Sequence, residues 1–508
     1  MSLDADSLLT ALLTQNYFPN QKEKKDELPP FFSTITFSRE VASQLRSLNN
    51  SKPRKEGYDQ VDIRFTRHNN LFRLMNIPHP KAYAHLCFCL HENWAEISKI
   101  SKNKNSLIRP KKHSDGRMII MDYEGFRVRK DREFRKSFGK QFLVHTDITN
   151  FYPSIYSHAI PWAAVGVQEA KRTKNEVDKW YNQLDRYVQK NKRGETNGIA
   201  IGPGASNIIA ELLLEKIDAE LSEKYSFVRF IDDYKCYCDT YEEAEHFITD
   251  LSEKLLDFKL CLNLKKTEII TLPANINDVW VSDLSTRMPQ GKDIKLRDAL
   301  SFIDYAVDIH KKSPNGSVLK FAINSIASRL EKKTDSIIDF KKRLLGLSFH
   351  YPILLPSLRF VSDNIFDNWT RSFRNKWLSY TEQELSSILR ENAKYKRSDA
   401  MVWSLYFLQK QGLNADPKCV EAVIETKDCL AITALLNYEE NNHKVLEFIS
   451  GITNTEDNYF MDNYWILLYE AYFRGLISNP YINDKTFSIL KRNRVCFLTN
   501  PLSNEELH

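Results

Sequence analysis

Apolar positions recur along this chain with two periods, and a change of character near residue 290 divides it. Before that point short apolar runs alternate with helical stretches. Leu8, Leu9, Leu12 and Leu13 mark a helix in a leader over residues 1–60 that runs on through a polar stretch past Pro29-Pro30. Leu86, Leu90, Trp94 and Ile97 mark a second helix over 78–100. Arg109 to Asp122 reads as a hairpin, with turn chemistry at His113-Ser114-Asp115-Gly116 and a strand at Met118-Ile119-Ile120-Met121. A strand ends at Asp147, and Pro153-Ser154 is expected to open a helix. The segment Gly198-Ile-Ala-Ile-Gly202-Pro203-Gly204-Ala-Ser206 precedes a long amphipathic helix carrying Ile208, Ile209, Leu212, Leu213, Ile217 and Leu221. Phe227–Ile231 and Tyr234–Cys238 flank Asp232-Asp233 as a hairpin. A helix follows over 241–257, and Leu260 to Ile270 reads as strand, turn, strand.

After about 290 the strand signal fades and amphipathic helices repeat. They are expected near 295–311, 317–333, 336–347, 384–395, 399–411, 419–437, 443–451 and 462–477. Asp399-Ala-Met-Val-Trp, Asp428-Cys-Leu-Ala-Ile and Asp462-Asn-Tyr-Trp-Ile start three of them at intervals of 29 and 34, which suggests a helical-repeat array.

The 508 residues suffice for two to four domains, and the composition is that of a globular protein. No apolar run approaches the ~20 residues needed to cross a bilayer, so no membrane role is expected. The first residues, Met1-Ser-Leu-Asp4-Ala-Asp6, are acidic where a secretory signal is basic, and a cytoplasmic location is expected. Eight cysteines include the pairs Cys87/Cys89 and Cys236/Cys238, which on strands would each face one side; buried reduced thiols are expected in preference to zinc. Net charge is +6, yet 99–136 holds thirteen Lys/Arg against five Asp/Glu, a local +8 that leaves the rest at 6 − 8 = −2. That block reads either as a surface for polyphosphate or nucleic-acid backbone or as a solvated charged loop.

The candidate chemistry sits just downstream of it. Phe142-Leu-Val-His-Thr-Asp147 delivers one aspartate at a strand end, and Phe230-Ile-Asp232-Asp233 delivers two in a turn. Alone, the first is an ordinary cap or surface residue and the second a common turn pair. Their order around a glycine loop is what a two-metal nucleotidyl-transfer site needs, with cations roughly 3.5–4 Å apart. Magnesium, or manganese, suits such hard carboxylate oxygens. Tyr152 is positioned either to exclude a sugar 2′-hydroxyl or to fill the core beside Phe151. Gly198, Gly202 and Gly204 allow close backbone approach to a nucleotide, or simply a turn. Lys266 is a candidate to neutralise leaving pyrophosphate, or a surface lysine. Arg109, Lys111 and Arg117 could grip triphosphate oxygens. Arg127, Arg129, Lys130, Arg132, Arg135 and Lys136 suit a strand backbone.

Together these residues resemble the reverse-transcriptase family over roughly 75–275. Asp147-Ile-Thr-Asn-Phe-Tyr-Pro-Ser-Ile is similar to its first catalytic motif, Phe230-Ile-Asp-Asp to its aromatic-x-Asp-Asp motif and Leu262-Asn-Leu-Lys-Lys-Thr to its lysine motif. Lys111 with Arg117-Met-Ile-Ile-Met-Asp is similar to the fingers hairpin that holds the incoming dNTP. Gly202-Pro203-Gly204 replaces the usual Pro-Gln-Gly, and Phe230 stands where many members have Tyr. The Ile-Gly-Pro-x-x-Ser loop and helical second half look most like the bacterial abortive-infection group (AbiK and AbiA). The resemblance implies an α+β fold: a right-hand polymerase palm and fingers, an antiparallel sheet with helices, followed by an all-α helical-repeat domain. The expected division is 1–75 leader joining the fingers, 76–290 fingers and palm, and 291–508 HEAT-like repeats in place of a thumb. It implies catalytic and metal-binding Asp147, Asp232 and Asp233 with Lys266, and dNTP-binding Lys111, Arg117, Tyr152 and Gly202. It further implies untemplated synthesis of single-stranded DNA, primed by a protein hydroxyl and left covalently attached, in homo-oligomers that act against phage. Tyr17 and Tyr58 are candidate primers. Retron-like templated synthesis and a catalytically dead, RNA-binding palm are the alternatives.

Overall fold

The computed structural model describes residues 3–19, 27–49, 54–113, 116–119, 126–275, 278–361 and 371–500. Helix α1 (Ala5–Thr14) is capped by Asp4, which accepts from the Ser7 amide at 2.8 Å. All four predicted leucines are buried. The rest of the leader is more structured than its polar sequence suggested. Phe31, Phe32 and Phe37 are buried, and Ser33 N donates to Phe497 O while Thr499 N donates to Phe31 O. The first and last described segments therefore share one core.

Strands β1 (Gln60–Thr66) and β2 (Phe72–Pro78) form an antiparallel hairpin that the sequence reading did not assign. Its signal was the alternation of Val61, Ile63 and Phe65, all buried. The helix expected over 78–100 breaks at Asn93 into Pro80–Glu92 and Trp94–Ile97. Cys87 and Cys89 lie on the first of these, so they do not share a face as strand residues would. Two short strands, β3 (Lys111–Lys112) and β4 (Met118–Ile119), pair as predicted. Ser114, Asp115, Ile120, Met121 and Asp122 lie outside the described residues. Helix α2 (Phe126–Ser137) then leads into the central sheet.

That sheet is antiparallel, in the order β6-β7-β5-β8, from β5 (Phe142–Asp147), β6 (Phe227–Phe230), β7 (Asp233–Cys238) and β8 (Glu268–Thr271). One face carries Val144, Thr146, Tyr234, Cys236 and Cys238, all fully buried under helices α3 (Gly204–Leu221) and α4 (Tyr241–Asp257). Cys236 and Cys238 share that face with sulfurs 3.7 Å apart, and every cysteine is free. The opposite face carries Asp147, His145 and Leu143 across from Asp233, Lys235 and Tyr237. Pro153 does not open a helix; it sits inside a single turn, Phe151–Ser154, and the next helix begins at Ala159.

From Val279 onward the described segments are helical, including α5 (Ser398–Lys410) and α6 (Cys429–Leu435). No described helix is long and apolar enough to cross a membrane. The helix expected over 419–437 breaks at Lys427, which has φ +58°. Of the three periodic aspartates only Asp428 caps a helix. Asp462 ends the helix Asn458–Asp462 instead of starting one. All three act together in another way, along the free edge of the first hairpin. Asp399 accepts from the Thr66 amide and hydroxyl, each at 2.9 Å. Ser398 Oγ accepts from Arg64 N and donates to Asp428. Asp462 accepts from Asp59 N and holds Arg54 through both oxygens. Unpaired strand amides that would otherwise lie open are thus satisfied by the helical half.

Candidate active site

The β6–β7 hairpin turns through Ile231-Asp232, with Phe230 paired to Asp233. Ile231 has φ +57°, a region that β-branched residues rarely adopt. Arg229 supports it: the guanidinium donates to Ile231 O at 2.8 Å and is fully buried between Glu211 (2.8 Å) and Asp218 (2.7 Å) of α3. Tyr234 Oη and Asn103 Nδ2 also donate to Asp218, and Ser106 Oγ donates to Glu211. Burial alone would lower the Arg229 pKa, but the two acids hold it well above its usual value.

Asp147 lies directly across the ladder from Asp233, and Ile148 N donates to Asp232 O at 3.1 Å. Residues opposite each other in an antiparallel pair project from the same face. Burial first, then the Asp233 charge, pushes Asp232 up to about 6. Burial also raises Asp233, with Asp147 adding to it and His145 and Lys266 opposing. Lys266 Nζ contacts Asp147 Oδ2, which raises the lysine pKa. Asp147 Oδ1 is buried and accepts no hydrogen bond. Among the described residues no three His, Cys, Asp or Glu side chains form a metal cage of their own. Magnesium does not need one, since it usually takes one or two carboxylates and completes its shell with water and substrate phosphates. An orphaned buried oxygen beside two electrostatically coupled carboxylates fits that donor set.

A cleft of about 670 Å³ adjoins this hairpin. Tyr152, Gly202 and Lys266 line it, together with Phe230 and Ile231; Lys111 and Arg117 do not. Arg117 is buried, and its hairpin docks on the N-terminal segment, where Asn16 exchanges two hydrogen bonds with the Met118 backbone. The cations lining the cleft are Arg67, Arg73, Lys266 and Lys320. Arg67 and Arg73 come from the β1–β2 hairpin; the Asp232 charge acts on Arg67, and the Arg73 charge favours the ionised form of Asp232. Sequence reasoning missed these two because it missed their hairpin.

Gly202 has φ +126°, and a Cβ there would stand 3.1 Å from Pro19 Cβ and 3.4 Å from Asn76 O. At Gly204 a Cβ would meet Asn16 at 2.9 Å. These glycines let the loop press against the protein's own N-terminal segment and β2, while Gly202 also faces the cleft. Tyr152 is likewise both things at once, buried with its hydroxyl donating to Asn207 and lining the cleft. The two tyrosines picked as primers are elsewhere. Tyr17 is fully buried, stacked on Tyr83 at 4.3 Å and donating to Pro78 O, and Tyr58 donates to Asp484 in the core. Neither hydroxyl lines the cleft.

Residues 93–316 match the family model described as reverse transcriptase (RNA-dependent DNA polymerase). The chain carries a reverse-transcriptase domain. By that domain it is a nucleotidyltransferase. No curated protein matches the chain. Among solved structures, apo telomerase from Candida tropicalis is similar at 11% identity over 67% of this chain and 68% of that one, with a TM-score of 0.33. A form of it lacking the C-terminal domain gives 12% identity over 45% and 52%, TM-score 0.29. Candida albicans telomerase in complex with a fragment of telomeric RNA gives 11% over 80% and 67%, TM-score 0.29. At these values the likenesses say nothing about what this chain copies or binds.

Proposed function

We propose that the protein is a metal-dependent DNA polymerase that makes single-stranded DNA without a template, primed by one of its own hydroxyls, in abortive-infection defence against phage. The observation that carries the polymerase reading is the register of Asp147 against Asp233, with Asp232 in the adjoining turn beside the cleft. Asp147, Asp232 and Asp233 would hold Mg²⁺ or Mn²⁺, whose chemistry when bound is to clamp the attacking and leaving oxygens of an in-line displacement. Arg67, Arg73 and Lys266 orient the triphosphate and offset its charge. Tyr152 closes the floor under the sugar.

Template independence is supported by what shares the cleft with the palm. Lys320, Ile353, Pro356 and Trp403 of the helical half also line it. A wall supplied by the helical half narrows the space that a base-paired template would need. The abortive-infection resemblance adds covalent attachment of the product, a homo-oligomer and a cytoplasmic setting to this reading.

The test uses purified protein with labelled dNTPs and Mg²⁺, without template or primer, followed by a denaturing gel after boiling. The reading expects label that stays with the polypeptide and vanishes in Asp232→Ala. Product only on adding RNA would point to retron-like templated synthesis, and no product either way to a scaffold.

A further inference from the structure

Helix α2 covers one end of the sheet face that bears the carboxylates. Along that face, Asp147 and Asp233 are followed by His145 and Lys235, then by Leu143 and Tyr237. At about 3.4 Å per residue the Tyr237 end lies only about 14 Å from Asp233. Lys235 Nζ lies 3.4 Å from Glu133 of α2, and Lys136 Nζ donates to Ser226 Oγ at 3.1 Å. Arg129, Arg132, Glu133 and Lys136, at helical spacing, therefore form the inward side.

The outward side is unusual. Arg127, Lys130 and Phe134 recur at intervals of three and four, and Phe138, whose amide donates to Phe134 O, extends the row by another four. Phe134 is 53% exposed and Phe138 89%. Lys130 Nζ stands 5.3 Å from the centre of the Phe134 ring. Within α2 six Lys/Arg face two Asp/Glu, a net of +4. Large rings left in water cost free energy, and a row of them among cations is the arrangement that stacks bases while tracking phosphates.

We infer that the Arg127–Lys130–Phe134–Phe138 row is a binding track for a single strand of nucleic acid, and that it receives the strand made at Asp147 and Asp233. This rests on the polymerase reading for the identity of the strand, but the track itself is a physical property of α2. The charge selects a polyanion, and α2 packs on the sheet face that bears the carboxylates, which puts the row on the exposed back of a helix about 14 Å from Asp233. A second copy of the chain or an anionic membrane would also cover exposed phenylalanines, but neither accounts for a cationic row placed so near the carboxylates.

Fluorescein-labelled oligo(dT) binding to the full-length protein, followed by anisotropy over a salt series, tests it. Phe134→Ala with Phe138→Ala is expected to weaken binding at least about tenfold. Arg127→Ala with Lys130→Ala is expected to flatten the dependence of log Kd on log salt by about 1 to 1.5. All four side chains are exposed, so thermal unfolding should not move. Asp232→Ala should abolish synthesis while leaving oligo(dT) affinity as it was. A wild type that binds through this row yet makes no DNA would sustain the track and sink the polymerase reading. Unchanged affinity in both double variants overturns the inference, whether they instead alter the mass seen by light scattering or remove binding to anionic vesicles.

Discussion

The Arg229 guanidinium donates a 2.8 Å hydrogen bond to the Ile231 carbonyl, so a fully buried cation holds the strained turn that presents Asp232 and Asp233. Its pairing with Glu211 and Asp218 makes it irreplaceable by an apolar residue, because two acids would be left buried with neutral hydrogen-bond donors but no cation to offset their charge. Arg229→Leu should cost about 3–5 kcal/mol in urea unfolding. Arg229→Lys keeps the charge but cannot supply every bond the guanidinium makes. It should fold with reduced stability and lose more kcat than KM. A Leu variant as stable as wild type would show that the turn stands without this support.

Tyr152 sits against Asn207 and lines the cleft beside Gly202. Shortening it should open space where a ribose 2′-hydroxyl would lie. In Tyr152→Ala the preference for dNTPs over rNTPs should fall at least about tenfold, a change of about 1.4 kcal/mol in relative barrier. Competition assays with paired labelled nucleotides measure this, and an unchanged ratio would leave Tyr152 as core packing alone.

Arg73 lines the cleft while Arg117 is buried in the β3–β4 hairpin. Arg73→Ala is expected to raise KM for dNTPs about tenfold with kcat little changed, the pattern of lost uniform binding. Should Arg117→Ala raise KM in a normally folded protein while Arg73→Ala does not, the triphosphate belongs to the β3–β4 hairpin.

Glu470 is fully buried, accepts from Phe497 N at 2.7 Å, and is pushed by burial up to about 7. A carboxyl raised in the folded state favours folding most when protonated. Its contribution is complete below about 4.5, the ordinary value, and is lost as pH climbs through about 7. Asp462, raised to about 6 by burial, acts in the same direction. Asp484, lowered to about 2, contributes in the opposite sense and only at strongly acid pH. Wild type should therefore lose up to about 3 kcal/mol relative to Glu470→Gln between mildly acidic and mildly alkaline buffer. Thermal unfolding across that range would show two parallel curves if the idea is wrong.

The parts of the site that were legible in the sequence are those carried by local pattern. Asp147 at a strand end, the Asp232-Asp233 turn, the glycines before α3 and the helix over 241–257 each follow from a short run of residues. Arg67 and Arg73 were not legible, because the turn of their hairpin, His68-Asn69-Asn70, lacks the glycine that usually announces one. Nor was Arg229, since a charged residue in a strand gives no hint that two acids on α3 will bury it.

The sequence alone determined which carboxylates exist, which elements carry them and that helices follow, because strand and helix periods and turn chemistry act over a few neighbouring residues. Only the tertiary structure decided which cations face Asp232, that Tyr17 and Tyr58 are core, and that Asp399, Asp428 and Asp462 satisfy the edge of β1. Those outcomes depend on contacts between residues hundreds of positions apart, where desolvation and the need to satisfy every buried polar group select one partner from many.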